Sequence, residues 1–301
     1  MNELSEVKIA FIILHYNATK ETINCVDSIK KNADTAEFHI VIVDNGSPNA
    51  SGDKLAEKYN GDPIVTVLIC QDNLGFARGN NEGISYAREN LVPDFICCMN
   101  NDTLLEQKDF CRKLADVYIR TGAAVIGPEI ILKNGTVQLF THYLCTVRDY
   151  QIQLQEQYNV LKGKRNYKKL IKKELMKVSL FYRIDMFRHH LKKDNYYHEN
   201  YSRTELTDVV LHGCCLIFTP AFFNRLEGFC PDTFLFREEE ILCLELQKNG
   251  LHSVYAPKLQ IRHLEDAATN SRFKRNREKE LFMARNQIQS LKILLGMMLK
   301  Q

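Results

Sequence analysis

The stretch FICCMNNDTLL (95–105) runs from five apolar residues straight into Asn100, Asn101 and Asp102. A short apolar run with an abrupt polar stop predicts a strand covered on both faces, as in a parallel sheet. Its polar end has two readings. Asn and Asp favour turns because their side chains bond nearby backbone and tolerate left-handed geometry. Alternatively, Asp102 supplies a carboxylate to Mg²⁺ or Mn²⁺ at the sheet edge, with Asn100 or Asn101 assisting through an amide oxygen or a water. Hard cations of this kind are commonly held by one or two carboxylates plus phosphate oxygens.

Working outward, VKIAFIIL (7–14), HIVIVD (39–44), IVTVLIC (64–70) and DFICCM (94–99) alternate with helical patterns at 20–31, 51–59 and about 77–90. This βα alternation predicts a mostly parallel sheet flanked by helices. Ligands of such sheets bind outside the carboxyl ends of the strands. Here those ends read His15-Tyr16-Asn17, Asp44-Asn45-Gly46-Ser47, Asp72-Asn73-Leu74-Gly75 and Asn100-Asn101-Asp102. Further on, AAVIGPEIIL (123–132) before Asn134-Gly135 predicts a hairpin or short edge strands. A strand is expected over 209–218, a Pro-started helix over 220–226, a helix over about 237–249 ended by Gly250, a short strand ending at His263, and an amphipathic helix over 272–299.

With 301 residues and 45% hydrophobic content, the chain can bury a large core. The net charge of +3 gives no argument for nucleic acid. Ten cysteines with no CxxC pair, several inside apolar runs, read as reduced thiols of a cytoplasmic protein, and no signal peptide or membrane span is expected. The region 146–207 reads as a helical insertion, with twelve Lys or Arg within 162–193. That segment is either a solvated helical face or a surface for anionic lipid headgroups, which would place the protein peripherally at the inner face of the membrane.

Several motifs offer chemistry beside simpler structural roles. Asp44 in VDNGSPNAS (43–51) could meet a nucleobase or ribose, or only shape a turn. Gly75, Gly79 and Gly83 allow either ligand approach around Arg78, whose fork suits phosphate, or close helix–strand packing. Glu238 and Glu239 open a helix, where carboxylates stabilise the positive end, yet the apolar residues that follow predict that at least one of them faces a cleft, where a general base is the functional alternative. A lone His263 after Leu259 and Ile261 is by itself a structural residue.

Taken in order, these motifs resemble those of bacterial family 2 glycosyltransferases, in the rhamnosyltransferase-like and galactofuranosyltransferase-like branch. The carrying stretches are VKIAFIILHYN, HIVIVDNGSPNAS, QDNLGFARGNNEGI, FICCMNNDT, VIGPEI, LHGCCLIF, LEGFCPDTFLFREEEILCLELQKNG and IRHLEDAATNS, covering about 7–145 and 208–290. The resemblance implies a single GT-A domain over 1–301, Rossmann-like, with a nucleotide-sugar half (7–132), the basic insertion (146–207), an acceptor and catalytic half (208–271) and a C-terminal helix (272–301). It implies inverting transfer of a sugar from a UDP- or dTDP-linked donor to a saccharide or lipid-linked acceptor in cell-surface polysaccharide synthesis.

By the same resemblance Tyr16, Asn17 and Asp44 line the nucleoside pocket. Asn73, Arg78 and Asn81 belong to the donor-holding stretch, and Asn100-Asn101-Asp102 stands at the metal motif. His263 completes the metal site, Glu239 or its neighbour Glu238 is the catalytic base, and Arg285-Asn286 matches a frequent pair. Cys230 and Ile241 stand where the family carries Asp. A Glu base is expected to be ionised at pH 7 without a shift. A nucleotide-sugar-binding protein lacking catalysis is the alternative. An NAD-dependent oxidoreductase and a nucleotidyltransferase are both disfavoured, since LHYNATKET has no glycine.

Overall fold

The computed structural model describes residues 7–35, 37–138, 141–163, 204–264 and 276–300. The first half alternates β1 (Ile9–His15), α1 (Thr19–Asn32), β2 (Phe38–Asp44), α2 (Ser51–Lys58), β3 (Val65–Ile69), α3 (Gly75–Asn90) and β4 (Phe95–Asn100). Then follow β5 (Thr103–Leu104), α4 (Phe110–Thr121), β6 (Val125–Leu132), α5 (Val147–Leu161), β7 (Leu206–Thr207) and β8 (Cys215–Phe218). The chain ends in α6 (Pro220–Phe223), α7 (Glu238–Lys248), β9 (Ser253–His263) and α8 (Asn276–Leu299). One sheet orders the strands β3-β2-β1-β4-β8-β6-β9-β5, with β7 paired to β9.

Strand β1 shows why the core forms. Successive side chains point to opposite faces. Ile9, Phe11 and Ile13 pack with Ile29, Leu55 and Leu114 of α1, α2 and α4, while Ala10 and Ile12 pack with Ile84 and Leu242 of α3 and α7. Strands β1 to β4 are parallel, whereas β8 runs antiparallel to both β4 and β6. The register sets His15 beside Asp44 and Leu14 beside Asn100. Cys215 opens β8 opposite Met99, and His263 closes β9 opposite Leu132 and Thr103. All these strand ends therefore share one edge of the sheet.

Several expectations are corrected. The 123–132 segment is an interior strand between β8 and β9 rather than an edge strand, while the expected hairpin is present in the antiparallel bridge of Ile131 to Val137. Its Pro128 is accommodated where the pairing shifts register between Pro128 and Glu129, a bulge that needs no proline N–H. The expected turn does follow, with Gly135 at φ +83°. The run 209–218 is broken: only Cys215–Phe218 is a β8 strand, and Val210 makes an isolated bridge to His142. Helix α6 stops at Phe223 rather than 226.

Helix α5 begins with a capping box between Thr146 and Asp149 and carries Tyr150 fully into a core with Ile241, Leu244, Leu291 and Leu294. The start of the expected insertion is thus packed against α7 and α8. Residues 164–203, holding most of the basic segment, lie outside the described residues, as does 265–275. All ten cysteines are free thiols and seven are buried, matching their reading as small hydrophobes. Among the described residues no helix is long and apolar enough to cross a membrane.

Candidate active site

The carboxyl ends of β1 and β2 form one hydrogen-bonded floor. His15 is fully buried, with Nδ1 at 2.6 Å from Thr22 Oγ1 and Nε2 at 2.8 Å from Ser51 Oγ. Burial lowers its pKa, against the opposing pull of Asp44 and Glu21. Asp44 accepts from the Ser47 hydroxyl and amide. Asn17 adopts φ +64°, its amide donates to Ser47 Oγ at 2.9 Å, and its own side-chain Oδ1 is buried without a partner. Tyr16 beside it is partly buried.

Asn45 and Asn73 tie the β2 and β3 loops together: Asn45 Oδ1 accepts from the Leu74 amide, and Asn73 Oδ1 accepts from the Gly75 amide, both at 2.9 Å. Gly79 and Gly83 lie against Leu14 and Ile12 of β1, so this glycine spacing serves close helix–strand packing. At Gly75 the close approach is to the 228–237 loop: φ is +83°, the Phe234 backbone occupies the place of a Cβ, and the Phe76 amide donates to Phe234 O at 2.8 Å. Arg78 Nε donates to Pro231 O at 2.7 Å. Asn81 is wholly engaged, its amide group donating to Phe229 O and its carbonyl accepting from Phe229 N, each at 2.8 Å.

At the other end of the edge, Asp102 Oδ1 stands 3.3 Å from His263 Nε2. His263 Nδ1 lies 3.3 Å from Gln138 Oε1, so when Nδ1 carries the ring proton and donates it there, Nε2 is free to ligate a cation beside Asp102. That carboxylate and imidazole fit a divalent cation. His212, Cys214 and His263 also hold ligating atoms within 4.8 Å of one another. The His212 ring, however, accepts the Cys214 amide at Nδ1 (3.0 Å), so its neutral form carries the proton on Nε2. Burial pushes the His212 pKa down to about 4, the nearby His263 adds to this, and Asp102 opposes it. Burial raises the Cys214 thiol well above its usual range. Asn101 turns away, donating to Thr22 Oγ1 on α1 at 3.1 Å, and the Asn100 backbone bonds Cys214 O at 2.9 Å.

Glu239 comes to the same edge from α7. Its carboxylate lies over Gly213, between His212 and Cys214, where a Cβ would otherwise stand. Burial, then Glu240 and Glu238, push its pKa up to about 8, so the expectation of an unshifted Glu is corrected. Glu238 is buried beside Thr233, with Oε1 unpartnered and a pKa raised by burial to about 7.

The family model for glycosyl transferase family 2 matches residues 10–218, more than half of the sequence. The chain belongs to glycosyl transferase family 2. It is similar to the low-salt glycan biosynthesis hexosyltransferase Agl10 of Haloferax volcanii, 28% identical over 127 residues. That match covers 42% of this chain and 38% of Agl10, so the chain spans less than half the length of this relative. The mannosyltransferase PcManGT from Pyrobaculum calidifontis, solved with GDP-Man and Mn²⁺, aligns over 99% of this chain and 74% of its own, with a TM-score of 0.54 at 12% identity. TarS 1–349 of S. aureus aligns over 85% of this chain and 60% of its own, with a TM-score of 0.50 at 13% identity. These likenesses show the fold, which is GT-A.

Sequence reasoning did not single out His212 or Arg237. His212 lay inside an apolar run that read as unbroken strand, and only the kink at 211–214 brings it to His263. The HG pair within that run was the available signal. Arg237 stands directly ahead of three glutamates, with nothing local to mark its role. It is only partly exposed and bonds three helices.

Proposed function

We propose that this glycosyltransferase moves a sugar, with inversion, from a nucleoside diphosphate to a hydroxyl of a saccharide or lipid-linked acceptor, and that it requires a divalent metal. The single observation that carries the reading is the convergence at one sheet edge of the Asp102–His263 pair and the Glu239 carboxylate over Gly213. PcManGT, with GDP-Man and Mn²⁺, supports the donor class and the metal.

Asp102 and His263 Nε2 would hold Mg²⁺ or Mn²⁺, which supplies neutralisation of charge on the departing diphosphate. Asn17 Oδ1, buried and unpartnered, is an acceptor for a base or ribose donor group, beside Asp44 and Tyr16. Arg78, anchored through Nε, keeps its terminal nitrogens for phosphate oxygens. Asn73 and Asn81 act by holding loops, since their side chains are already engaged with backbone. Glu239 accepts the proton of the attacking hydroxyl, and a raised pKa strengthens it as a base once deprotonated. Glu238, one residue away, is the second candidate.

Thermal unfolding with UDP, dTDP or GDP, each with and without Mn²⁺, tests this reading. One nucleotide should raise Tm in a Mn²⁺-dependent way, because a ligand of the native state stabilises it by mass action. No stabilisation by any of the three would overturn it.

A further inference from the structure

The backbone that delivers Glu239 is unusual. Phe236 and Arg237, both carrying side chains, adopt left-handed φ of +74° and +70° in succession, and α7 starts at the next residue. Left-handed geometry is disfavoured for residues with a Cβ, and two such residues in a row persist only where surroundings over-determine them. Neither is a glycine, so the sequence itself does not relax the kink.

The surroundings identify what holds it. Arg237 Nε donates to Gln287 Oε1 on α8 at 2.9 Å, Nη2 donates to Gln153 Oε1 on α5 at 2.7 Å, and Nη1 donates to Glu240 Oε1 on α7 at 2.5 Å. Glu240 is itself buried, so this is an enclosed charge-assisted bond. A planar guanidinium with donors on three nitrogens can span three helices at once; a lysine ammonium cannot do so in that plane. Ser290 of α8 adds a bond to Leu235 O at 3.1 Å.

We propose that Arg237 is a positioning residue for the transfer reaction: by clamping α5, α8 and α7 it fixes the kink from which Glu239 is aimed at Gly213. Helices α5 and α8, which contribute none of the candidate ligand or base residues, thereby become part of the apparatus that orients the base. The proposal rests on the reading of Glu239 as the base.

The test compares Arg237→Lys, Gln153→Leu and Gln287→Leu with the parent and with Glu239→Gln, as full-length chains. Release of nucleoside diphosphate from UDP-N-acetylglucosamine and GDP-mannose with Mn²⁺ is followed, alongside Tm and nucleotide affinity. Arg237→Lys is expected to lose about tenfold or more in kcat, since small misplacements of a reacting group are costly, with donor KM and nucleotide affinity unchanged. The two Gln variants each remove a single bond from the guanidinium to an uncharged amide oxygen and should show the same split to a smaller degree, even where Arg237→Lys unfolds. Parental kcat in Arg237→Lys and both Gln variants, with Glu239→Gln inert, would overturn the positioning role alone. Parental turnover in Glu239→Gln would overturn the base reading and this proposal together.

Discussion

The Glu239 carboxylate occupies the space that a Cβ on Gly213 would need. This joins the helix that bears the candidate base to the loop that bears His212 and Cys214, so the two halves of the site meet at a residue with no side chain. Gly213 is therefore a shape requirement of the site, distinct from a need for backbone freedom.

Gly213→Ala puts a methyl group against the end of a flexible side chain. Glu239 can swing aside, so Tm should stay within a few degrees of the parent. The displaced carboxylate should lower kcat on the order of 10²-fold with nucleotide affinity unchanged, the scale expected for a misplacement near 1 Å. Steady-state kinetics and calorimetry check both halves. Parental kcat would mean that the Glu239 position does not matter.

The elevated pKa of Glu239, about 8, predicts two pH effects. A base must be deprotonated, so kcat should rise with pH through a midpoint near 8 to a plateau above it. Stability moves the other way. With the folded pKa above the ordinary 4.5, the native state holds a proton that the unfolded chain releases between those values. Stability is then full below about 4.5 and falls as pH rises through about 8. Glu238 and Glu245, both raised to about 7, act in the same direction. Glu239→Gln should flatten part of the fall in Tm between pH 6 and 9; an unchanged slope would contradict the assignment.

Asp102→Asn and His263→Ala should each remove the Mn²⁺-dependent part of the nucleotide-induced Tm shift while leaving the metal-free shift in place. Asp102 supplies the charge, and His263 a nitrogen oriented by Gln138. An intact Mn²⁺ effect in both variants would place the metal elsewhere.

Asn81→Leu should act on stability first. It leaves the buried Phe229 amide and carbonyl without their partner, at a cost of about 2 kcal/mol. Urea unfolding measures it. Arg78→Ala, on an exposed side chain with one bond to Pro231 O, should cost less stability and more donor affinity.

Much of this arrangement was legible in the sequence because β1, β2 and β4 are covered on both faces and end abruptly in polar residues. The ends that read as ligand-bearing do lie along one edge. What escaped depended on contacts between distant segments. The Asn134-Gly135 turn made 123–132 read as a hairpin or short edge strands, yet a register shift at Pro128 lets β6 sit inside the sheet. Tyr150 gave no local sign that α5 docks on α7 and α8. The amides of Asn81 and Asn101 read as ligand groups, whereas the fold spends them on Phe229 and Thr22.

Glu239 is the proposed base and the centre of the site. Its most direct test is the rate of Mn²⁺-dependent release of nucleoside diphosphate from a sugar donor by Glu239→Gln, measured with the affinity for that nucleoside diphosphate. A fall on the order of 10²- to 10⁴-fold is expected, with affinity preserved. Turnover at the parental rate would contradict it.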